Sequence, residues 1–381
     1  MRAYVYTDKS LERYAGQFVW LSIDIENSVN ATFLKKYTIQ GVPTMFIFDP
    51  KKEQIALRWL GSATVPQLTK LFEDGKRAVG GTRDPLVGAL ANADRLYGEG
   101  KNAEAAKAYE GVLGKAAEGW PSRGRVTESL LFALQSSDQF ERCAKRAESA
   151  YPGMRNRASA MNVAAVGLDC ALSLDKRNAA RGAWIRGLEK NAIETMANPR
   201  VKVAADDRSG LYQILISTRE DAGDAEGQKR VTEEWAAFLE REAAKAKTAE
   251  ARAVFDSHRL SAYLALDQPD RAVAMLKESE RDLPDDYNPP FRLAVAHRAA
   301  KQYELALDAT GRALDTVYGP RRVRVLMTRA DIYVDLGDRE SATKTLADAL
   351  ALASALPEGQ RSESTIASLK KRIESVQPSS P

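Results

Sequence analysis

Apolar and polar positions divide this chain into two regions of different period. From Phe18 to Ile25 the run Phe-Val-Trp-Leu-Ser-Ile-Asp-Ile is almost continuously apolar and rich in β-branched and aromatic residues. That pattern predicts a parallel strand covered on both faces. Phe33, Leu34 and Tyr37 then recur at helical spacing, with Lys35 and Lys36 opposite, predicting a helix over 30–37. Met45-Phe46-Ile47-Phe48 predicts a second strand, Asp49-Pro50-Lys51-Lys52 a turn, and Ile55–Leu60 a returning strand ended by Gly61. Thr64-Val65-Pro66 opens a helix through Leu68, Leu71 and Phe72, with proline in its first turn.

Beyond the linker 80–85, centred on Gly80 and Gly81, strand signals nearly vanish and Ala, Leu, Glu, Arg and Lys dominate. The pattern becomes a helix, a short polar turn, and a second helix with small residues where helices approach closely. Ala93, Leu96, Tyr97, Gly100, Ala105, Tyr109, Val112 and Leu113 form one such unit. Ala330, Tyr333, Gly337, Ala342, Leu346, Ala349 and Leu350 form another. Tyr263, Ala272, Leu276 and Pro284 fit the same template, as do Tyr303, Ala306, Ala313 and Leu314. Turn markers at Gly100, Asp138, Asp175, Gly223, Asp267, Lys301 and Gly337 give seven hairpins, with spacings of 38, 37, 48, 44, 34 and 36. The spacing of 48 implies a longer loop around Asn198–Arg208. An irregular helical bundle is the alternative architecture. Ile366, Leu369, Ile373 and Val376 make one stripe, which suits a capping helix ahead of a disordered tail, Gln377–Pro381.

Two resemblances follow from these residues. Residues 18–72, with the loop Gly41-Val42-Pro43-Thr44, resemble the second half of a thioredoxin domain, whose matching proline follows a cis peptide bond against the active-site sulfurs. The hairpins resemble tetratricopeptide repeats, whose units are about 34 residues long. The fold class expected is therefore α/β plus all-α: an incomplete thioredoxin-like domain over 1–79, an α-solenoid of tetratricopeptide-like hairpins over 86–356, and a cap and tail over 357–381. The thioredoxin resemblance implies a Cys-x-x-Cys pair, with Met1 matching the methionine that follows it. The two cysteines would then lie upstream of the sequence given. Within it no thiolate faces the Gly41–Thr44 loop, and thiol exchange requires one.

Composition narrows the function. The net charge is +4 from 56 basic and 52 acidic residues, with both signs interspersed. Short clusters such as Arg321-Arg322-Val323-Arg324 read as solvated faces, so no nucleic-acid partner is expected. No apolar run reaches the about 20 residues of a membrane span, so no membrane partner is expected either. No signal peptide is recognised at the start, which reads as cytoplasmic; envelope or periplasm is the alternative if an upstream segment carries one. The only cysteines, Cys143 and Cys170, read as small buried hydrophobes rather than a disulfide scaffold. His258 and His297 lie on different repeats without ligand or triad spacing, so no metal, cofactor or catalytic residue is expected.

What remains is binding. The tetratricopeptide resemblance maps groove-facing positions to Asn288, Phe291 and Arg298 in one unit and to Arg324, Met327 and Asp331 in the last. Mixed charge with an aromatic suits an extended peptide or a partner helix, while plain solvation would give the same residues. The family's lysine and asparagine carboxylate clamp is absent at the matching positions. The reading is a non-catalytic scaffold binding a protein partner, oligomeric state open. The alternative is a thiol–disulfide oxidoreductase with its cysteines upstream.

Overall fold

The computed structural model describes residues 5–81 and 84–376. The expectations for Met1, for linker residues Thr82 and Arg83, and for the tail Gln377–Pro381 lie outside them. The chain forms two compact units: residues 1–18 with 37–235, and residues 19–36 with 236–381.

In the first unit, strands β1 (Thr44–Asp49) and β2 (Gln54–Leu60) pair antiparallel, Thr44 opposite Leu60 and Asp49 opposite Gln54, with an irregularity at Ile47/Phe48. Asp49 Oδ1 accepts from the Lys51 amide at 3.0 Å, which closes the expected turn. Tyr37 packs its ring against Phe46 and Phe48 on one face of β1. Helix α2 (Val65–Val79) starts in a capping box between Thr64 and Gln67. Its Leu68, Leu71 and Phe72 join Leu57, Trp59, Tyr14 and Leu11 in a small core. Gly75 packs against Ile47, where a Cβ would collide with the isoleucine side chain.

One expected strand does not form. Val19–Asp24 is without regular structure, and the sheet contains two strands among the described residues. The thioredoxin-like domain is therefore not shown; the described residues give a two-stranded β-hairpin and its helix. A parallel strand needs a neighbour on its ladder, and none is supplied to this segment. Val19 is 88% and Leu21 79% exposed, so the apolar run is not a buried one. Residues 19–36, including the short helix α1 (Ala31–Lys36), belong instead to the second unit. Residues 37–81 and 84–235 fall in the same compact unit. Helix α3 (Pro85–Gly98) packs on β2, and Gly98 lies so close to Ile55 that a Cβ there would collide.

The rest of the first unit is helical hairpins: α3 with α4 (Asn102–Lys115), α5 (Arg123–Gln135) with α6 (Phe140–Met154), α7 (Ala160–Leu172) with α8 (Arg181–Ala197), then α9 (Ala205–Asp221) turning into α10 (Ala225–Ala244). The unit boundary falls within α10. In the second unit a short helix α11 (Ala249–Ala253) precedes three hairpins and a last helix. These are α12 (Asp256–Ala265) with α13 (Pro269–Asp282), α14 (Asn288–Ala299) with α15 (Tyr303–Thr316), α16 (Gly319–Leu336) with α17 (Arg339–Ala355), and α18 (Glu363–Val376).

The hairpins share one turn chemistry. Gly100, Asp138, Gly223, Asp267, Lys301 and Gly337, six of the expected markers, have φ between 55° and 79°. The residue after each donates its amide to the carbonyl five positions back, for example Lys101 to Leu96 at 2.9 Å and Asp338 to Tyr333 at 2.9 Å. This left-handed closure satisfies carbonyls that the ending helix leaves open. Ala105, Cys143, Ala272, Ala306 and Ala342 are all fully buried where the second helix crosses the first. These turns and crossings make the fold a tetratricopeptide-like array of hairpins. Asp175 is the exception, in a longer turn between α7 and α8. The wide spacing that follows it comes from the long helices α8 and α9 as well as a loop, and Arg208 lies within α9 rather than in the loop.

Candidate functional site

The groove positions expected from the repeats lie on α14 and α16, the first helices of consecutive hairpins, and the structure brings most of them together. Phe291 is half-buried against Ala313, Val317 and Val325. The exposed Arg324 guanidinium carbon lies 5.6 Å from the centre of its ring, within cation–π reach. Two helical turns further, Arg298 Nη1 lies 3.3 Å from Asp331 Oδ2, and its Nε donates to Asp335 Oδ2 at 2.5 Å. Hydrogen bonding to Asp335 and the nearby Asp331 charge raise the Arg298 pKa, which keeps the cation fixed. Arg372, on α18, also donates to Asp331.

Two positions serve other roles. Asn288 donates its amide group to Asp286 Oδ1 at 2.7 Å, and its backbone N–H reaches the same oxygen at 2.9 Å, so it organises the entry to α14. Met327 packs against the core of Val323, Ala330, Leu346, Ile366 and Leu369. Sequence reasoning missed Asp335 and Arg372. A signal existed for Asp335, four residues beyond Asp331 on one helical face; none existed for Arg372, which comes from another helix. The face of α14 and α16 thus presents paired charges and a half-buried ring. His297 on α14 is buried, with Nδ1 2.6 Å from Gln302 Oε1.

The Gly41–Thr44 loop ends the β-hairpin in the first unit. The Val42–Pro43 bond is cis. The Pro43 carbonyl accepts from the Gly61 amide at 2.9 Å, and Thr44 Oγ1 donates to the Gly41 carbonyl at 2.6 Å. Val42 is exposed. The two cysteines are not beside this loop chemistry. Cys143 on α6 and Cys170 on α7 are fully buried and joined to each other in a disulfide, Cα atoms 6.1 Å apart. Burial was expected; the covalent pairing was not, because residues 27 apart on successive helices give no sequence sign of facing each other.

A buried polar network also escaped the sequence reading. Asp94 on α3 accepts from Arg125 Nη1 at 3.0 Å and from the Tyr109 hydroxyl at 2.7 Å. Arg125 also donates to the carbonyl of Arg58 on β2, whose own guanidinium stacks 3.8 Å over the Tyr97 ring. Burial raises the Asp94 pKa against the pull of Arg125. The network's members link β2, α3, α4 and α5, although the buried Nε atoms of Arg58 and Arg125 have no hydrogen-bond partner among the described residues.

No protein-family model matches the chain, and no curated protein does. Among solved structures it is similar to a tetratricopeptide repeat protein from Parabacteroides merdae, at 10% identity and a TM-score of 0.48, over 76% of this chain and 98% of that one. It is also similar to the TPR2AB domain of yeast Sti1 in complex with an HSP90 peptide, at 14% identity and a TM-score of 0.27, over 76% and 96%. A thermophilic TPR protein of Thermus thermophilus is similar at 13% identity and a TM-score of 0.26, over 76% and 98%. The reading of the fold rests on the chain's own hairpins: a tetratricopeptide-like helical repeat protein with a small two-stranded sheet.

Proposed function

We propose that this chain is a non-catalytic interaction module that holds an extended, mixed-charge peptide of another protein on the face of α14 and α16. The observation that carries the reading is the pairing of Phe291 with Arg324 and of Arg298 with Asp331 on successive first helices. Ridges of first helices in a stacked array offer one continuous surface for such a segment. The charges there are held in place by their partners, so binding orders few side chains, which lowers its entropic cost. The Gly41–Thr44 loop, exposed at Val42, serves in this reading as a separate docking surface on the first unit. A buried disulfide fits an oxidising compartment better than a reducing cytoplasm. Its buried sulfurs offer no thiolate for exchange with a substrate.

A photo-crosslinking residue at Arg324, compared with one at the exposed Lys344 on α17, tests this in the native host. A discrete adduct from position 324 alone, lost when Arg298→Gln is added, is the expected result. The same adducts from both positions, or none from 324, would overturn it.

A further inference from the structure

Residues 24–35 cross the second unit as a strap held at four points. Arg321 donates to Glu26 through both its Nε (2.9 Å) and its backbone N–H (3.1 Å). The Tyr318 hydroxyl donates to Asp24. The Gln360 side chain donates to the Ile25 carbonyl at 2.8 Å, and Lys35 Nζ lies 2.7 Å from Glu358 Oε2. The two holding loops, 317–321 and 357–360, each carry a glycine where the strap's main chain presses in. A Cβ on Gly319, which sits at φ +58°, would strike the Glu26 carbonyl, and one on Gly359 would strike the Ala31 carbonyl. Both obstacles are backbone, which cannot rotate aside as a side chain can.

The loops therefore treat the strap as a site treats a peptide. Glycines admit the main chain, Gln360 reads a carbonyl, and a hydroxyl and a guanidinium read two acidic side chains spaced i, i+2. We propose that loops 317–321 and 357–360 form a recognition site for an Asp-x-Glu segment, occupied in cis by Asp24-Ile25-Glu26, and that an acidic peptide of that pattern from another protein is the ligand which the strap excludes. This goes beyond the binding face of α14 and α16: it uses the start of α16 and the α17–α18 connection. The strap is suited to release. Within the strap Val29 is exposed, Ile25, Phe33 and Leu34 are half-buried and Ala31 is buried, and the ion pairs that hold it are of the partly exposed, weak kind. Tethering gives it an effective concentration in the millimolar range, which a free peptide must overcome.

The test uses the full chain and a fluorescent synthetic peptide of residues 19–36. Asp24→Ala/Glu26→Ala, which frees the site, should bind the peptide at least about tenfold more tightly than the unaltered chain, by the factor that the tether supplied. Adding Arg321→Ala should remove that binding, and the strap amides of the double variant should exchange hydrogen faster while those of α14 and α15 do not. If the double variant does not fold, Glu26→Gln carries the same readouts. Equal binding to freed and unaltered chains, binding to neither, or binding indifferent to Arg321→Ala overturns the proposal. None of these readouts depends on Arg298 or Arg324, so either reading can fail alone.

Discussion

Arg125 donates to Asp94 at 3.0 Å with both side chains buried, which ties the second repeat hairpin to the first. The same Nη1 reaches the Arg58 carbonyl on β2, so one guanidinium joins the sheet to the array. Taking both charges out of water is costly, and the pair is stable only while complete. Asp94→Asn or Arg125→Met alone should destabilise the first unit by about 3 kcal/mol, since each leaves a buried charge without its counterpart. The apolar double replacement should recover much of that loss. Urea unfolding followed by circular dichroism reads both.

Asp207 stands in the first turn of α9, half-buried and close to Asp206 and Glu128. Burial first, and then those two like charges, push its carboxyl up to about 8 from the ordinary 3.8. The folded state thus holds this proton more tightly than the unfolded one. Its contribution to stability is complete below about pH 4 and is lost as pH rises through about 8. The urea midpoint should therefore rise between about pH 8 and about pH 6, and Asp207→Asn should flatten that slope while stabilising the protein at the upper end. An unchanged slope in the variant would assign the effect elsewhere.

The Cys143–Cys170 bond closes 27 residues across α6 and α7. A loop of that size restricts the unfolded chain by roughly 3 kcal/mol. Cys143→Ala with Cys170→Ala should lower stability by about that amount, or somewhat more if the buried site fails to repack. Intact mass after denaturing alkylation should show no label without reductant and one on each cysteine after reduction.

Lys301 closes the α14–α15 turn at φ +58°, where a side chain is strained, and Gly337 closes α16–α17 at φ +79° without that strain. Lys301→Gly should stabilise the second unit by up to about 1 kcal/mol, and Gly337→Ala should cost about 1 kcal/mol. Thermal unfolding should move in opposite directions for the two, and movement in the same direction would contradict the turn geometry.

Local chemistry made much of this protein legible from its sequence. The turn residues follow from what a helix end needs, and six of the seven markers sit in the left-handed region as their hairpins require. The small residues at helix crossings, the Met45–Leu60 hairpin and the Thr64 cap are equally local. By contrast, partners for Asp94, Cys143, Asp331 and Glu26 come from other elements, as far as 295 residues along the chain for Glu26 with Arg321. Nothing in composition or period specifies such meetings.

Residues 18–25 show the difference most clearly. An apolar, β-branched run states only a preference for extended backbone; whether it becomes a strand depends on a neighbour offering a ladder. Here the tertiary structure offers none, and the segment that follows the run is held by glycines and an arginine of the last repeats. Helix and turn positions are written into local sequence, because their hydrogen bonds close within a few residues. The tertiary structure alone decided which segments share a core, which charges are paired, and what occupies the site at Gly319 and Gly359, because those contacts exist only once distant parts of the chain meet.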